Sequence, residues 1–162
     1  MPVLLPKLQR DEVIPSFQLP STRGVSIGPR SYYRRRRNLV IFFFHDGQCQ
    51  VCKGILDNLA RHYSEFKENN AEVLGVSSVR QDEAMALTQT LKLPFPLLFD
   101  STGEVVDRFT HREPRTGRPV PTIIITDRFG AVYTTIQVEE SNPPRMEEIL
   151  DWVKFIELQC PE

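Results

Sequence analysis

Cys49-Gln50-Val51-Cys52 is the segment of this chain whose residue types and spacing suit redox chemistry. Two cysteines three positions apart can close a disulfide when the first lies at a helix cap and the second in the first turn. Unpaired amides and the dipole at that end favour the thiolate, and Lys53 adds positive charge beside the pair. Disulfide exchange needs only such a nucleophile and a resolving partner. Cys49, nearer the cap, is expected to be the accessible, alkylatable thiol. Cys52, one turn in and on the apolar side, is expected to resolve.

Two rival readings of the pair are chance burial as small hydrophobes and half of a metal site. Zinc would need two more ligands, and the available ones, His45, His62, His111 and Cys160, are scattered with no second C-x-x-C and no H-x-x-x-H. No metal is therefore expected. A non-enzyme copper or zinc carrier, using both thiolates and His111, stands as the rival class. Cys160 reads as a bystander rather than a resolving thiol, His62 as a surface or packing residue, and His45 as a turn residue or a group that tunes the motif. Arg112, Arg115 and Arg118 crowd a polar loop over 111–119. That loop is either simply solvated or a funnel for an anionic substrate.

The elements that must hold the pair are legible around it. Leu39 to Phe44 is short and apolar on both faces, as a central strand of a helix-covered parallel sheet should be. After the His45-Asp46-Gly47 break, Cys52, Ile55, Leu56, Leu59, Tyr63 and Phe66 recur at helical steps, which predicts one helix of about five turns. Further strands are predicted over 71–76, 97–99, 122–126 and 131–138, with a hairpin turn at Asp127–Gly130. A second helix is marked by Ala84, Leu87 and Leu91 and stopped by Pro94. A last helix is capped by Asn142 with Pro143 at its first position and faces inward with Met146, Ile149, Leu150, Val153 and Ile156. Short strands over 16–19 and 25–27 flank Gly24 as an N-terminal hairpin, and Arg34 to Arg37 reads as a solvated strand entry.

Composition bounds the rest. The 162 residues, 40% hydrophobic and 25% charged, suit one globular domain over 1–162 with an irregular leader over 1–12. Net charge is −1, so no overall field points to nucleic acid or an anionic membrane. The longest apolar run, Leu39 to Phe44, falls far short of the roughly 20 residues of a membrane span. The first 15 residues carry no apolar core of a secretory signal, and three cysteines do not make a disulfide scaffold. A cytoplasmic location is expected. The economical fold is α/β: a mixed central sheet of five or more strands, helices on both faces, and an N-terminal β-hairpin extension.

Phe44 through Cys52, an apolar strand end followed by C-x-x-C, resembles the thioredoxin active-site segment. Val120-Pro121-Thr122 before three isoleucines is similar to the cis-proline element that faces the disulfide in the thioredoxin fold. The leader over 13–20, the Gly24 turn, the 39–44 strand, Leu93 to Asp100 and the Asp127–Gly130 turn resemble the peroxiredoxins, the alkyl hydroperoxide reductase/thiol-specific antioxidant family. The resemblance spans about residues 12–157. It implies a thioredoxin-like fold, a Cys49/Cys52 dithiol–disulfide couple, Pro121 positioning substrate across a cis Val120–Pro121 bond, tuning by Gln50-Val51, and no organic cofactor.

This chain departs from the peroxiredoxin pattern where the chemistry is decided. Cys52 falls on the position of the family's peroxidatic cysteine, and Cys49 stands where that motif has threonine. The motif's proline is absent, and the family's arginine falls on Pro121, with Arg118 displaced nearby. Peroxide reduction relies on donors that hold the O–O bond against the thiolate, and two are lost. The expectation is therefore a thiol–disulfide oxidoreductase with a peroxiredoxin-like antioxidant body. A thiol peroxidase with Cys52 peroxidatic and Cys49 resolving is the alternative. Its partners would be a protein or small disulfide or thiol, or a hydroperoxide, together with an external thiol reductant.

Overall fold

Leu39 to Phe44 are each at most 1% exposed, and the strand they form is the middle one of five. The computed structural model describes residues 5–159. In chain order its elements are β1 (Leu19–Pro20), β2 (Ser26–Ile27), α1 (Arg30–Arg34), β3 (Asn38–Phe44), α2 (Gln50–Arg61), α3 (Tyr63–Glu68), β4 (Ala71–Ser77), α4 (Gln81–Leu91), β5 (Leu97–Phe99), α5 (Glu104–Phe109), β6 (Thr122–Thr126), β7 (Val132–Gln137) and α6 (Met146–Gln159). The main sheet runs β5-β4-β3-β6-β7. β4 pairs parallel with β3 and β5, while β6 runs antiparallel to β3 and β7 antiparallel to β6. This is the mixed sheet the sequence implies, because the β3–α2–β4 and β4–α4–β5 connections are helical crossovers and β6–β7 is a hairpin.

Strand alternation divides the interior in two. Val40, Phe42 and Phe44 face α2, α3, α4 and α6 through Ile55, Leu56, Leu59, Phe66, Leu87 and the inner face of α6. Leu39, Ile41 and Phe43 face the other way, onto α1, α5 and the N-terminal segment. Phe43 stacks on Phe109 at 4.9 Å between ring centroids. Gly75 of β4 lets the strands close up: a Cβ there would come 2.4 Å from Leu97 Cδ2 and 3.4 Å from Phe44 Cε1.

β1 and β2 form the expected small antiparallel hairpin. It docks on β5 through the Ser21–Leu98 bridge and the Thr22 amide donating to Leu97 O at 2.9 Å. On the opposite side of the sheet, residues 11–14 run along the start of β7. The Asp11 amide donates to Val132 O at 2.7 Å, the Val132 amide to Glu12 O at 2.8 Å, and the Ile14 amide to Gly130 O at 2.9 Å.

Three element readings are corrected. The five-turn helix is two, α2 and α3, broken at His62 with φ −104° and ψ 10°. Its amide and its ring Nδ1 both lie within hydrogen-bond reach of Asn58 O, at 3.1 and 2.9 Å, and the apolar steps continue unbroken through the kink, which hides it from periodicity. The last helix begins at Met146, not at Pro143, and Asn142 instead bridges back to Glu139. The basic run does lead into β3, but Arg34 also ends a short helix that was not expected, and Arg37 is not simply solvated, since it pairs with Glu72 at 3.1 Å. No helix among the described residues is long and apolar enough to cross a membrane.

Candidate active site

β3 delivers the chain to the site, and the turn after it is built by two carboxylates. Asp46 Oδ1 accepts from the amides of Gln48 and Cys49, at 2.8 and 2.9 Å. The Gly47 amide donates to Glu83 Oε1 of α4 at 3.0 Å. A Cβ on Gly47 would sit 2.8 Å from that same oxygen, so a larger residue there would push the Glu83 carboxylate aside. Cys49 then takes an extended conformation, φ −69° and ψ 112°, as the N-cap of α2. Its sulfur accepts from the Cys52 amide at 3.1 Å, the hydrogen bond that Ser or Asp makes at other helix starts. Cys49 and Cys52 are joined in a disulfide with Cα atoms 5.1 Å apart.

The two sulfurs do not share one environment. Cys52 is fully buried against the sheet with Ile55 and Leu56, whereas Cys49 keeps 8% of its surface. Beside them stands His45, with its side chain 8% exposed and Nδ1 3.2 Å from Asp46 Oδ2. Although that close, Nδ1 is not aligned for a hydrogen bond. A His45 ring nitrogen and the two sulfurs all lie within 4.8 Å of one another. Arg118 Nη1 approaches Asp46 Oδ2 to 3.7 Å. Partial burial pushes the Asp46 carboxyl up, but the Gln48 amide, His45 and the Cys49 amide outweigh it and hold the group below its ordinary value.

A cleft of about 360 Å³ opens on this side, lined in part by His45, Glu113, Arg118, Pro121 and Glu139. A smaller one of about 200 Å³ lies beyond the motif, with Gln48, Lys53 and Glu83 on its walls. The first carries charges of both signs, so it is not the purely cationic funnel suggested by the arginines of the 111–119 loop.

Of the site residues read from the sequence, Cys49 and Cys52 come together as a pair at the start of α2, and Pro121 lines the His45 cleft. The cis expectation is corrected: the described residues contain no cis peptide bond, so Val120–Pro121 is trans. The segment is held extended toward β6, with the Val120 amide donating to His111 O at 2.7 Å and Pro121 O accepting from Val138 at 2.8 Å. The trans form is also the intrinsically favoured one. His111 does not join the thiols; its Nε2 lies 2.7 Å from Leu5 O. Arg112 pairs with Asp107 at 2.8 Å, and Cys160 lies outside the described residues. Sequence reading gave Asp46 no role. Its signal was an Asp three residues before the helix cap, the spacing at which a carboxylate takes up free amides of a turn.

Comparison with known proteins agrees with this architecture. The chain is 28% identical over 156 residues to a protein of Sulfurisphaera tokodaii named peroxiredoxin 2, covering 91% of this chain and 72% of that one. It is 29% identical over 131 residues to peroxiredoxin bcp1 of Schizosaccharomyces pombe, covering 72% of this chain and 65% of that one. Among solved structures, the peroxidoxin BcpB of Mycobacterium tuberculosis superposes with a TM-score of 0.80 at 19% identity, over 92% of this chain and 98% of the other. A reduced 2-Cys peroxiredoxin of Plasmodium vivax gives 0.81 at 17% identity, over 94% and 86%. These likenesses carry the thioredoxin-like peroxiredoxin fold. The AhpC/TSA family model matches residues 11–135, which include β3, the Cys49–Cys52 pair and Pro121. With its fold and most of its length accounted for in this way, the chain belongs to the AhpC/TSA family of thiol-dependent oxidoreductases.

Proposed function

We propose that the protein is a dithiol–disulfide oxidoreductase in which Cys49 attacks and Cys52 resolves. The observation that carries this reading is the asymmetry of the pair: Cys49 caps α2, receives an amide hydrogen bond at 3.1 Å and keeps some surface, while Cys52 has none. In the cycle the Cys49 thiolate attacks one sulfur of a substrate disulfide, and the other leaves as a thiolate. Cys52, having lost its proton, then attacks the mixed disulfide at Cys49 and releases the second substrate thiol. Two electrons have passed to the substrate and Cys49–Cys52 is oxidised. An external thiol reductant, of the kind a reducing cytoplasm supplies, returns them. Pro121 and Arg118 would border the incoming substrate in the His45 cleft. No organic cofactor takes part.

Family membership favours a second reading, a thiol peroxidase. There the Cys52 thiolate attacks a hydroperoxide, the O–O bond breaks, and alcohol or water leaves Cys52 as a sulfenic acid. The Cys49 thiol then condenses with it and water departs. The complete burial of Cys52 and the cysteine at the motif's threonine position weigh against this order. One equivalent of hydroperoxide and, separately, one equivalent of a protein disulfide added to reduced protein decide between them. Thiol loss that is fast with the disulfide and slow with peroxide supports the exchange reading, and the reverse supports the peroxidase.

A further inference from the structure

We propose that the reduced site is also a metal site, in which Cys49 Sγ, Cys52 Sγ and a ring nitrogen of His45 hold one thiophilic cation of the zinc class. The three donors come from a single turn, 45–52, and lie within 4.8 Å of one another. Zinc binds thiolate at about 2.3 Å and imidazole at about 2.0–2.1 Å in a tetrahedron, so its donors sit within roughly 4 Å of each other. Breaking the S–S bond lets the sulfurs move apart toward that spacing, while Asp46 and Glu83 hold the turn through backbone amides that play no part in coordination.

His45 supplies the independent observation. Its side chain is more than nine-tenths buried beside the sulfurs, and its Nδ1, fully out of solvent, meets Asp46 Oδ2 at 3.2 Å without a well-aligned hydrogen bond. That poorly aligned contact leaves part of the nitrogen's burial cost uncompensated, and a cation on the ring, or the better hydrogen bond to Asp46 that it induces, relieves it. Asp46 Oδ2, 3.2 Å from the ring, is placed as the carboxylate that orients a metal-bound imidazole. Sequence spacing concealed the set because no ligand repeat is present: the histidine lies four residues before the first cysteine, on the strand side of the turn.

The site exists in only one redox state. In the disulfide neither sulfur is a thiolate donor. Reduction delivers two electrons and two protons to the pair, and a divalent cation then displaces the thiol protons to leave two thiolate–metal bonds and the imidazole bond. Three protein donors leave a fourth tetrahedral position open. Metal and oxidant therefore compete for the same two sulfurs, and a bound cation holds the enzyme reduced and inactive until it is withdrawn. This inference goes beyond the proposed function and does not depend on which cysteine attacks.

The test reduces the full chain anaerobically with a phosphine, then titrates zinc against a chromophoric chelator. Expected are one zinc per reduced chain, none for the disulfide form, and at least about tenfold weaker binding in His45→Ala, in line with the loss of a coordinating or orienting group. Equal affinity in folded His45→Ala, or equal binding by the oxidised protein, would overturn the proposal. If His45→Ala does not fold, X-ray absorption of the wild-type zinc complex decides. Two sulfurs and at least one nitrogen support the site; four sulfurs, or an all-oxygen shell, refute it. The order of attack is read separately, from the single cysteine mutants, so failure of one proposal leaves the other standing.

Discussion

Replacing each cysteine in turn by serine separates the two thiols quantitatively. In Cys52→Ser the backbone amide at position 52 remains, so Cys49 keeps the hydrogen bond it receives at 3.1 Å. A hydrogen bond to a charged group contributes about 1.5–3 kcal/mol. Better stabilised thiolates are intrinsically poorer nucleophiles, and a Brønsted coefficient of about 0.4–0.5 gives back nearly half of that. The remainder corresponds to roughly a three- to twentyfold faster reaction at neutral pH. In Cys49→Ser the new hydroxyl still caps α2, serine being a preferred cap, so the fold is retained. The remaining thiol has no exposed surface and reacts only when the helix start opens. Iodoacetamide should therefore label Cys49 in Cys52→Ser at least about threefold faster than Cys52 in Cys49→Ser, the lower bound of that same balance. Mass spectrometry after timed quenching gives both rates. Faster labelling of Cys52, or rapid peroxide oxidation of Cys52 in the Cys49→Ser protein, would refute the assignment of roles.

Three further outcomes are expected. Phe42→Ala removes a fully buried ring from the middle strand and should cost about 3–5 kcal/mol in denaturant unfolding. Asp46→Ala strips the acceptor from two amides at the head of α2 and should lower stability by about 0.5–2 kcal/mol, while Asp46→Asn, which keeps a carbonyl oxygen, should lose less. Burial and the Glu72 carboxylate, 2.8 Å from its hydroxyl, push Tyr63 up to about 12. Its protonated form is favoured in the folded state, so its contribution is full below the unfolded value of about 10 and is lost as pH rises through about 12. Phenolate absorbance compared between wild type and Tyr63→Phe checks this; a wild-type Tyr63 that ionises near 10 would contradict it.

The parts of the fold that were legible are those with long, consistent patterns. Leu39 to Phe44 reads as central because all six residues are apolar, and Ile55, Leu56 and Leu59 reveal α2 by their spacing. The short helices escaped. α5 has only six residues, with Val105, Val106 and Phe109 too few to set a period, and α1 is masked by tyrosines and arginines that read equally well as strand or loop. The break at His62 leaves the apolar steps intact, so nothing in the pattern marks it. The cysteine pair was legible from local spacing alone. His45 stood only as one candidate among several, because its place depends on how tightly the turn folds back, which Asp46 and Glu83 set through backbone amides. The trans Val120–Pro121 bond was misjudged because the resemblance carried a bond geometry that neighbouring residues, not the Val-Pro pair, determine.

The segments lying along β5 and the start of β7 have a bearing on self-association. A sheet ends in a row of unsatisfied amides and carbonyls, and such a row is a template on which another chain can add a strand. Here the Ser21–Thr22 region occupies part of one such row and residues 11–14 part of the other. Both caps belong to the same stretch of chain, ahead of β3. One proteolytic nick after the hairpin would loosen both ends of the sheet together while leaving Cys49 and Cys52 in place. Such a clipped molecule would keep its thiols and lose its protection against fibre-like stacking, so aggregation, rather than lost chemistry, would be the first sign of damage to this N-terminal segment.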